Sequence, residues 1–326
     1  MRVLVTGATG FTGGHLARRL ASGGDEVRAL VRSPEAATDL VRHGIELAPG
    51  DLRERAALAR AVRGVEVVYH IAAIYRQANV GADEYAAVNA RAVGELIRAA
   101  ASAGARRVVH CSTVGVHGDV QGPPANEDAP LGPGDVYQWT KLEGESAARA
   151  TANETRIEVV IARPTGIYGP GDRRLLKLFR GIARRRFVIL GRGRIFYHLT
   201  YIDDLVEGFR LCATVPGAAG RTYILAGPDV TTLNELADMI AQEAGVRPPR
   251  LHLPVWPFWL AGAACEALCT PLGVEPPLYR RRVDFFTKSR AFEISRARQE
   301  LGYTPQVGLR EGIRRTLAWY RAAGWL

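Results

Sequence analysis

The chain has 326 residues, 47% hydrophobic and 23% charged, which excludes a disordered, collagenous or coiled-coil protein and allows one large globular domain or two smaller ones. Its 43 basic and 33 acidic residues leave a net charge of +10, which suits an anionic partner: nucleic acid, anionic lipid or a phosphorylated cofactor. The four cysteines, Cys111, Cys212, Cys265 and Cys269, form no CxxC pair, and the expectation is a chain without a signal peptide in a reducing cytoplasm. Cys265 and Cys269 read as buried structural thiols, with no metal site.

In chain order, residues 1–5 predict a strand, 11–21 a helix, 26–31 a strand, 56–62 a helix and 65–69 a strand. A long helix through 85–103, a strand at 107–111, a helix at 137–153 and a strand at 157–162 follow. Strands alternating with helices at this spacing predict an α/β fold, a Rossmann-type doubly wound parallel sheet, and the apolar runs RVLV, VEVVY and RRVVH suit strands buried on both faces. After about residue 170 the rhythm changes, with the basic clusters Arg184, Arg185, Arg186 and Arg280, Arg281, Arg282 and an aromatic, proline-rich passage. The expected division is a dinucleotide-binding domain over 1–170 and a smaller C-terminal substrate lobe over 171–326, with segments such as 195–225 returning to the first. Residues 255–265 are the most apolar stretch, but Pro257 interrupts it and Glu266 ends it. It is too short to span a bilayer and reads as a buried helix, with peripheral membrane contact or an apolar substrate as the alternatives.

The first strand runs into Thr6-Gly7-Ala8-Thr9-Gly10-Phe11-Thr12-Gly13-Gly14. Glycines there permit a tight turn and close approach to a pyrophosphate, which the following helix meets with its free N–H groups. Gly7, Thr9, Gly10, Phe11 and Gly13 are therefore candidate cofactor contacts. The second strand ends in Val31-Arg32-Ser33, without the acid that usually takes the ribose 2′-hydroxyl of NAD. Arg32 instead suits a 2′-phosphate, which favours NADP, with NAD as the alternative. Asp51 and Leu52 are candidate adenine-side contacts.

Tyr137 and Lys141 stand four apart at the start of a helix, on one face. A tyrosine is a poor base near neutrality unless a cation favours its phenolate, and Lys141 is placed to supply one. Ser112 and Thr113 end a parallel strand, where open α/β sheets bind ligands.

The motifs TGATGFTGG, HIAA, VNARAVG, CSTVGVHG, YQWTK and RPTGIYGPGD, with TYIDDLVEG and the terminal RAFEISRARQELGYTP, resemble the extended short-chain dehydrogenase/reductase superfamily, its NAD(P)-dependent epimerase/dehydratase group. The resemblance implies Tyr137 as catalytic acid/base and Lys141 as the lysine that lowers the tyrosine pKa and holds the nicotinamide ribose. It implies Thr113 as the hydroxyl that orients the substrate oxygen, with Ser112 as the alternative, and Asn89 beside the cofactor ribose and active site. Ala72, Ala73, Pro164, Gly166 and Ile167 fall on cofactor-side positions. It also implies a homodimer acting on a small-molecule substrate; nucleic acid is not expected, because the basic residues are not interleaved with aromatics in any recognised module.

Where many sugar-nucleotide epimerases carry asparagine, this chain has Gly166, and Val114 replaces the acid that dehydratases place after the strand-end threonine. RPTGIYGPGD and the C-terminal tail are similar to the 3β-hydroxysteroid dehydrogenase and dihydroflavonol reductase branch. The expected reaction is hydride transfer between nicotinamide and a secondary alcohol or ketone of an apolar, sterol-like molecule. A nucleotide-sugar epimerase, less so a dehydratase, is the alternative, and a non-catalytic dinucleotide-binding regulator a further one.

Overall fold

The computed structural model describes residues 1–77, 80–269 and 280–326. Its first half alternates β1 (Arg2–Thr6), α1 (Phe11–Ser22), β2 (Glu26–Val31), α2 (Thr38–Arg42), β3 (Glu46–Pro49), α3 (Arg55–Ala61) and β4 (Val67–His70). One continuous helical segment follows: α4 (Ala82–Ala86), a π-helical turn (Ala87–Arg91) and α5 (Ala92–Ser102). Then come β5 (Arg107–Cys111), α6 (Val136–Thr155), β6 (Glu158–Pro164) and β7 (Gly166–Tyr168).

The later elements are α7 (Leu176–Ala183), β8 (Ile189–Leu190), β9 (Phe196–Tyr201), α8 (Ile202–Thr214), β10 (Thr222–Leu225) and β11 (Val230–Thr232). They continue with α9 (Leu233–Ala244), β12 (His252–Leu253), α10 (Trp256–Cys269), α11 (Arg280–Thr287), α12 (Ser295–Leu301) and α13 (Leu309–Ala322).

Seven parallel strands form one sheet in the order β10-β6-β5-β4-β1-β2-β3. Alternate residues of each strand enter opposite cores: Val3, Val5, Val67 and Tyr69 pack on one face, Leu4, Val68, Val108 and Ile161 on the other. This period of two on both faces is why the strands read as unbroken apolar runs. From β1 the chain winds to β2 and β3 on one side, then to β4, β5 and β6 on the other. The reversal leaves a crevice beyond the carboxyl ends of β1 and β4, the place where such sheets bind ligands. Two small sheets, β11-β9-β7 and β12-β8, stand beside it.

The stretch 255–265, read from its apolarity as a buried helix, is instead the exposed helix α10, with Gly262 its buried residue. An almost uniformly apolar helix carries no sequence signal for which face is covered, and here only one side packs on the lobe. Cys265 and Cys269, read as buried, are half-buried there. No described helix is long and apolar enough to cross a membrane.

The π-helical turn pushes the Asn89 carbonyl toward α6, where a Cβ at Gly144 would collide with it. Gly144→Ala is expected to lower stability by about 1–3 kcal/mol through overpacking. Thermal unfolding of the variant checks this; an unchanged midpoint contradicts the close packing.

Candidate active site

At the end of β1 the chain turns at Gly7, whose φ of +73° lies in the left-handed region. A Cβ at Gly13 would run into the Gly7 carbonyl, so α1 can sit directly on the turn. Gly10 caps α1 without a side-chain hydrogen bond, which leaves the first N–H groups and the positive end of the helix dipole for an anion. The Thr6 hydroxyl receives the Ala72 N–H at 3.2 Å and contacts His70 Nδ1 at 2.8 Å, locking β1 to β4 beneath the turn.

From this turn a cavity of about 1170 Å³ extends across the strand ends to Tyr137. It brings together the expected glycines with Thr9, Phe11, Arg32, Asp51 and Leu52 at one end. Ala72, Ala73, Ser112, Thr113, Tyr137, Lys141, Pro164, Gly166 and Ile167 line the remainder. Asn89 does not line it: its amide accepts from the Ile74 N–H at 2.8 Å, donates to the Ile74 carbonyl at 3.0 Å and meets Thr140 Oγ1 at 3.2 Å. The residue is a clamp on the cavity wall.

At the adenosine end, Arg53 holds both Asp51 oxygens at 2.8 and 2.9 Å. Those hydrogen bonds, with a contribution from nearby Arg32, keep the Asp51 carboxyl below its usual range. Arg18, on the same wall, pairs with Asp39 at 3.0 Å. Among the described residues Arg32 makes no ion pair, so its guanidinium faces the cavity uncommitted.

Asp135 caps α6 by accepting the Gln138 N–H at 2.8 Å, which sets the helix start that presents Tyr137. Three residues spaced by four, Tyr137, Lys141 and Glu145, share one face of α6. Buried Glu145 takes two hydrogen bonds from Arg163, at 2.8 and 2.7 Å, and one from the Ser112 hydroxyl at 2.6 Å. Burial alone would raise its pKa; the Arg163 and Ser112 hydrogen bonds hold it below the usual carboxylate range. Ser112 is thereby occupied. Thr113 Oγ1 accepts the Gly115 N–H at 3.0 Å, which leaves its O–H to donate into the cavity.

Burial pushes the Tyr137 phenol above its ordinary pKa, and the cations that oppose this are Arg76 and Arg174. The Tyr75 ring stands edge-on to Tyr137 at 4.9 Å, with the Arg76 and Arg174 guanidiniums 5.6 and 6.0 Å from its centroid. Lys141 Nζ is buried without a hydrogen-bond partner among the described residues, and burial lowers its pKa. Arg76, Arg174, Glu145 and Arg163 were not singled out by sequence; only Glu145 had a readable signal, the third place in the spacing of four.

The residues fit a dinucleotide. Cβ atoms at Gly7 and Gly13 would collide with the Ala72 and Gly7 backbones, so only glycines let the turn seat α1 with its free N–H groups open to a pyrophosphate, and the unpartnered Lys141 Nζ is a donor suited to ribose hydroxyls.

Fold and site define an NAD(P)-dependent enzyme of the extended short-chain dehydrogenase/reductase type. The family model described as the NAD dependent epimerase/dehydratase family matches residues 3–226, and the chain belongs to that family. It is similar to sterol demethylase protein B of Methylococcus capsulatus, 32% identical over 100% of both chains. To 3beta-hydroxysteroid-dehydrogenase/decarboxylase isoform 1 of Arabidopsis thaliana it is 29% identical, over 96% of this chain and 78% of the other. A solved structure of a DesIV double mutant, a dTDP-glucose 4,6-dehydratase from Streptomyces venezuelae with NAD bound, is similar at 27% identity and a TM-score of 0.80, covering 100% of this chain and 98% of the other.

Beneath Lys141 the buried rings of His70 and His110 stack 5.3 Å apart. Burial, with repulsion from Lys141, pushes both below the ordinary histidine pKa, His70 to about 3. As pH falls below about 6.5 the unfolded chain takes up these protons and the folded one does not. Stability is therefore full above that pH and declines below it, by about 1.4 kcal/mol per pH unit for each histidine. His110→Leu is expected to flatten the decline between pH 6.5 and 4.5, measured by chemical denaturation; an unaltered slope refutes the assignment.

Proposed function

We propose that the protein is an NADP-dependent dehydrogenase/reductase acting on a secondary alcohol or ketone of an apolar, sterol-like substrate. The observation that carries the substrate class is the aromatic wall of the cavity, where Tyr75, Tyr197, Phe285, Trp319 and Trp325 line the same space as Tyr137. The two sterol-related relatives support the reading. At Gly166, a Cβ would press on the end of the Leu199 side chain at 2.6 Å, so the amide that many sugar-nucleotide epimerases carry at this position would require that side chain to shift. Arg32 favours NADP, and the four cysteines, free thiols, suit a reducing compartment.

A bound nicotinamide supplies the hydride acceptor or donor. Gly7, Gly10 and Gly13 let the backbone hold the pyrophosphate, and Lys141 Nζ donates to the ribose. Thr113 donates its O–H to the substrate oxygen and orients it, while Tyr137 takes or returns the proton at that same oxygen. Arg76 and Arg174 face the phenol and lower the cost of its ionised form, against the burial that raises it. Ser112 acts through Glu145 and Arg163 to fix α6, and is a positioning residue.

A substrate screen that follows reduced nicotinamide, with steroid alcohols and ketones beside UDP- and GDP-sugars, tests this reading. Net cofactor turnover with a sterol supports it; conversion of a sugar nucleotide without net turnover establishes the epimerase instead. Tyr137→Phe is expected to lower kcat about a hundredfold or more with cofactor binding intact. Thr113→Val is expected to cost about a hundredfold in kcat, with Ser112→Ala acting mainly on stability; the reverse pattern exchanges the two hydroxyls' roles. Arg32→Ala is expected to weaken NADPH about tenfold or more and to leave NADH nearly unchanged, read as dissociation constants. A parent protein that binds both equally well removes the NADP assignment.

A further inference from the structure

The solvent face of α10 is unlike an ordinary surface helix. Its exposed residues include Trp256, Trp259, Leu260, Ala264, Ala267 and Leu268, and no charged side chain is among them. Trp256 and Leu268 are 66% and 70% exposed. Residues 256, 260, 264 and 267 follow helical spacing, so they form one apolar stripe along the outer face. The one charged residue of the helix, Glu266, is half-buried off that stripe and pairs with Arg280 at 2.6 Å. The Arg280 guanidinium in turn lies 5.7 Å from the Trp259 ring centroid. The side chains of Arg281 and Arg282 lie outside the described residues.

A basic rim accompanies this stripe. Residues 173–194 contain nine Arg and Lys and no Asp or Glu, and Arg184, Arg185, Arg186, Arg192 and Arg194 are exposed. The fold brings them to α10: within that segment β8 pairs with β12, and β12 leads directly into the helix. Gly191 lies against Val255, the residue before α10, so that a Cβ there would sit 3.1 Å from a valine methyl. Apolar surface of this kind, rimmed by cations, is complementary to a surface that is apolar beneath and anionic at its boundary. A second copy of the chain is a poor partner, because a twofold contact through this face brings the two arginine rims together. At 1.5 Å per residue the helix reaches about 21 Å, too short to cross the hydrocarbon core but long enough to lie in the interface plane.

We propose that α10 seats the protein on an anionic lipid surface, with its tryptophans and leucines at the acyl boundary and the arginines of the 173–194 segment on the headgroups. The proposal does not depend on the substrate. Co-sedimentation of the full chain with phosphatidylcholine vesicles, with and without phosphatidylglycerol, is the test. Binding is expected only with phosphatidylglycerol and is expected to weaken as salt rises, since each basic residue near the surface strengthens partition by about fivefold. Trp256→Ser combined with Leu260→Ser is expected to reduce partition about tenfold or more. Arg184→Glu with Arg192→Glu is expected to do the same while leaving the apolar face intact. Both pairs are exposed, and an unchanged thermal midpoint reports that the variants are folded. Failure of the parent protein to bind phosphatidylglycerol vesicles at low salt overturns the proposal, as does equal partition of parent and variants. Concentration-dependent self-association abolished by the Trp256 and Leu260 substitutions also overturns it and makes the face a protein interface.

Discussion

The buried ion pair between Glu145 and Arg163 is the contact on which the site depends. It ties α6 to β6, and through the Ser112 hydroxyl it also ties α6 to the end of β5. Arg163 reaches further, to His117 Nε2 and the Glu127 carbonyl, so one guanidinium joins four segments of chain. Such a pair adds little net stability over a well-packed apolar alternative, but breaking it strands a buried charge, at a cost of about 3–5 kcal/mol. Its contribution is geometric: Lys141 and Tyr137 lie one and two turns up the helix that Glu145 fixes.

Electrostatics then divides the cavity. At the adenosine end, Arg53 neutralises Asp51 and leaves Arg32 to an external anion. Around the phenol, Arg76 is balanced by Asp135 and Arg174 by Asp172, so both cations are held in place while still acting on Tyr137. Lys141 sits deeper, over two histidines that burial keeps neutral at physiological pH. A second and third positive charge directly beneath the lysine would oppose its own protonation, and the depressed imidazoles avoid that.

Much of this was legible in the sequence, for local reasons. The glycine turn follows from the need for positive φ and close approach within a few residues of one strand, and the tyrosine and lysine from a single helical spacing. The parallel sheet followed from alternation along the first half of the chain. What was not legible involves partners distant in sequence. Only the resemblance preferred Thr113 to Ser112, and the physical reason appears once Glu145 is seen to occupy the first hydroxyl. Arg76 and Arg174 reach the phenol from loops, which carry no periodicity. Asn89 marks the right neighbourhood, but its amide groups are taken up by Ile74 and Thr140. The exposure of α10 was hidden because apolarity around a whole helix states no direction.

The π-helical turn at Asn89 has a mechanical consequence. Its carbonyl bears on Gly144 of α6, while its side chain grips both backbone groups of Ile74, next to Tyr75 and Arg76. The spacing between two packed helices and the position of a cavity-wall loop are thus read off the same residue. The packing distance of α6 and the place of the ring that meets the phenol are therefore set at one point, so a substitution at Asn89 touches both.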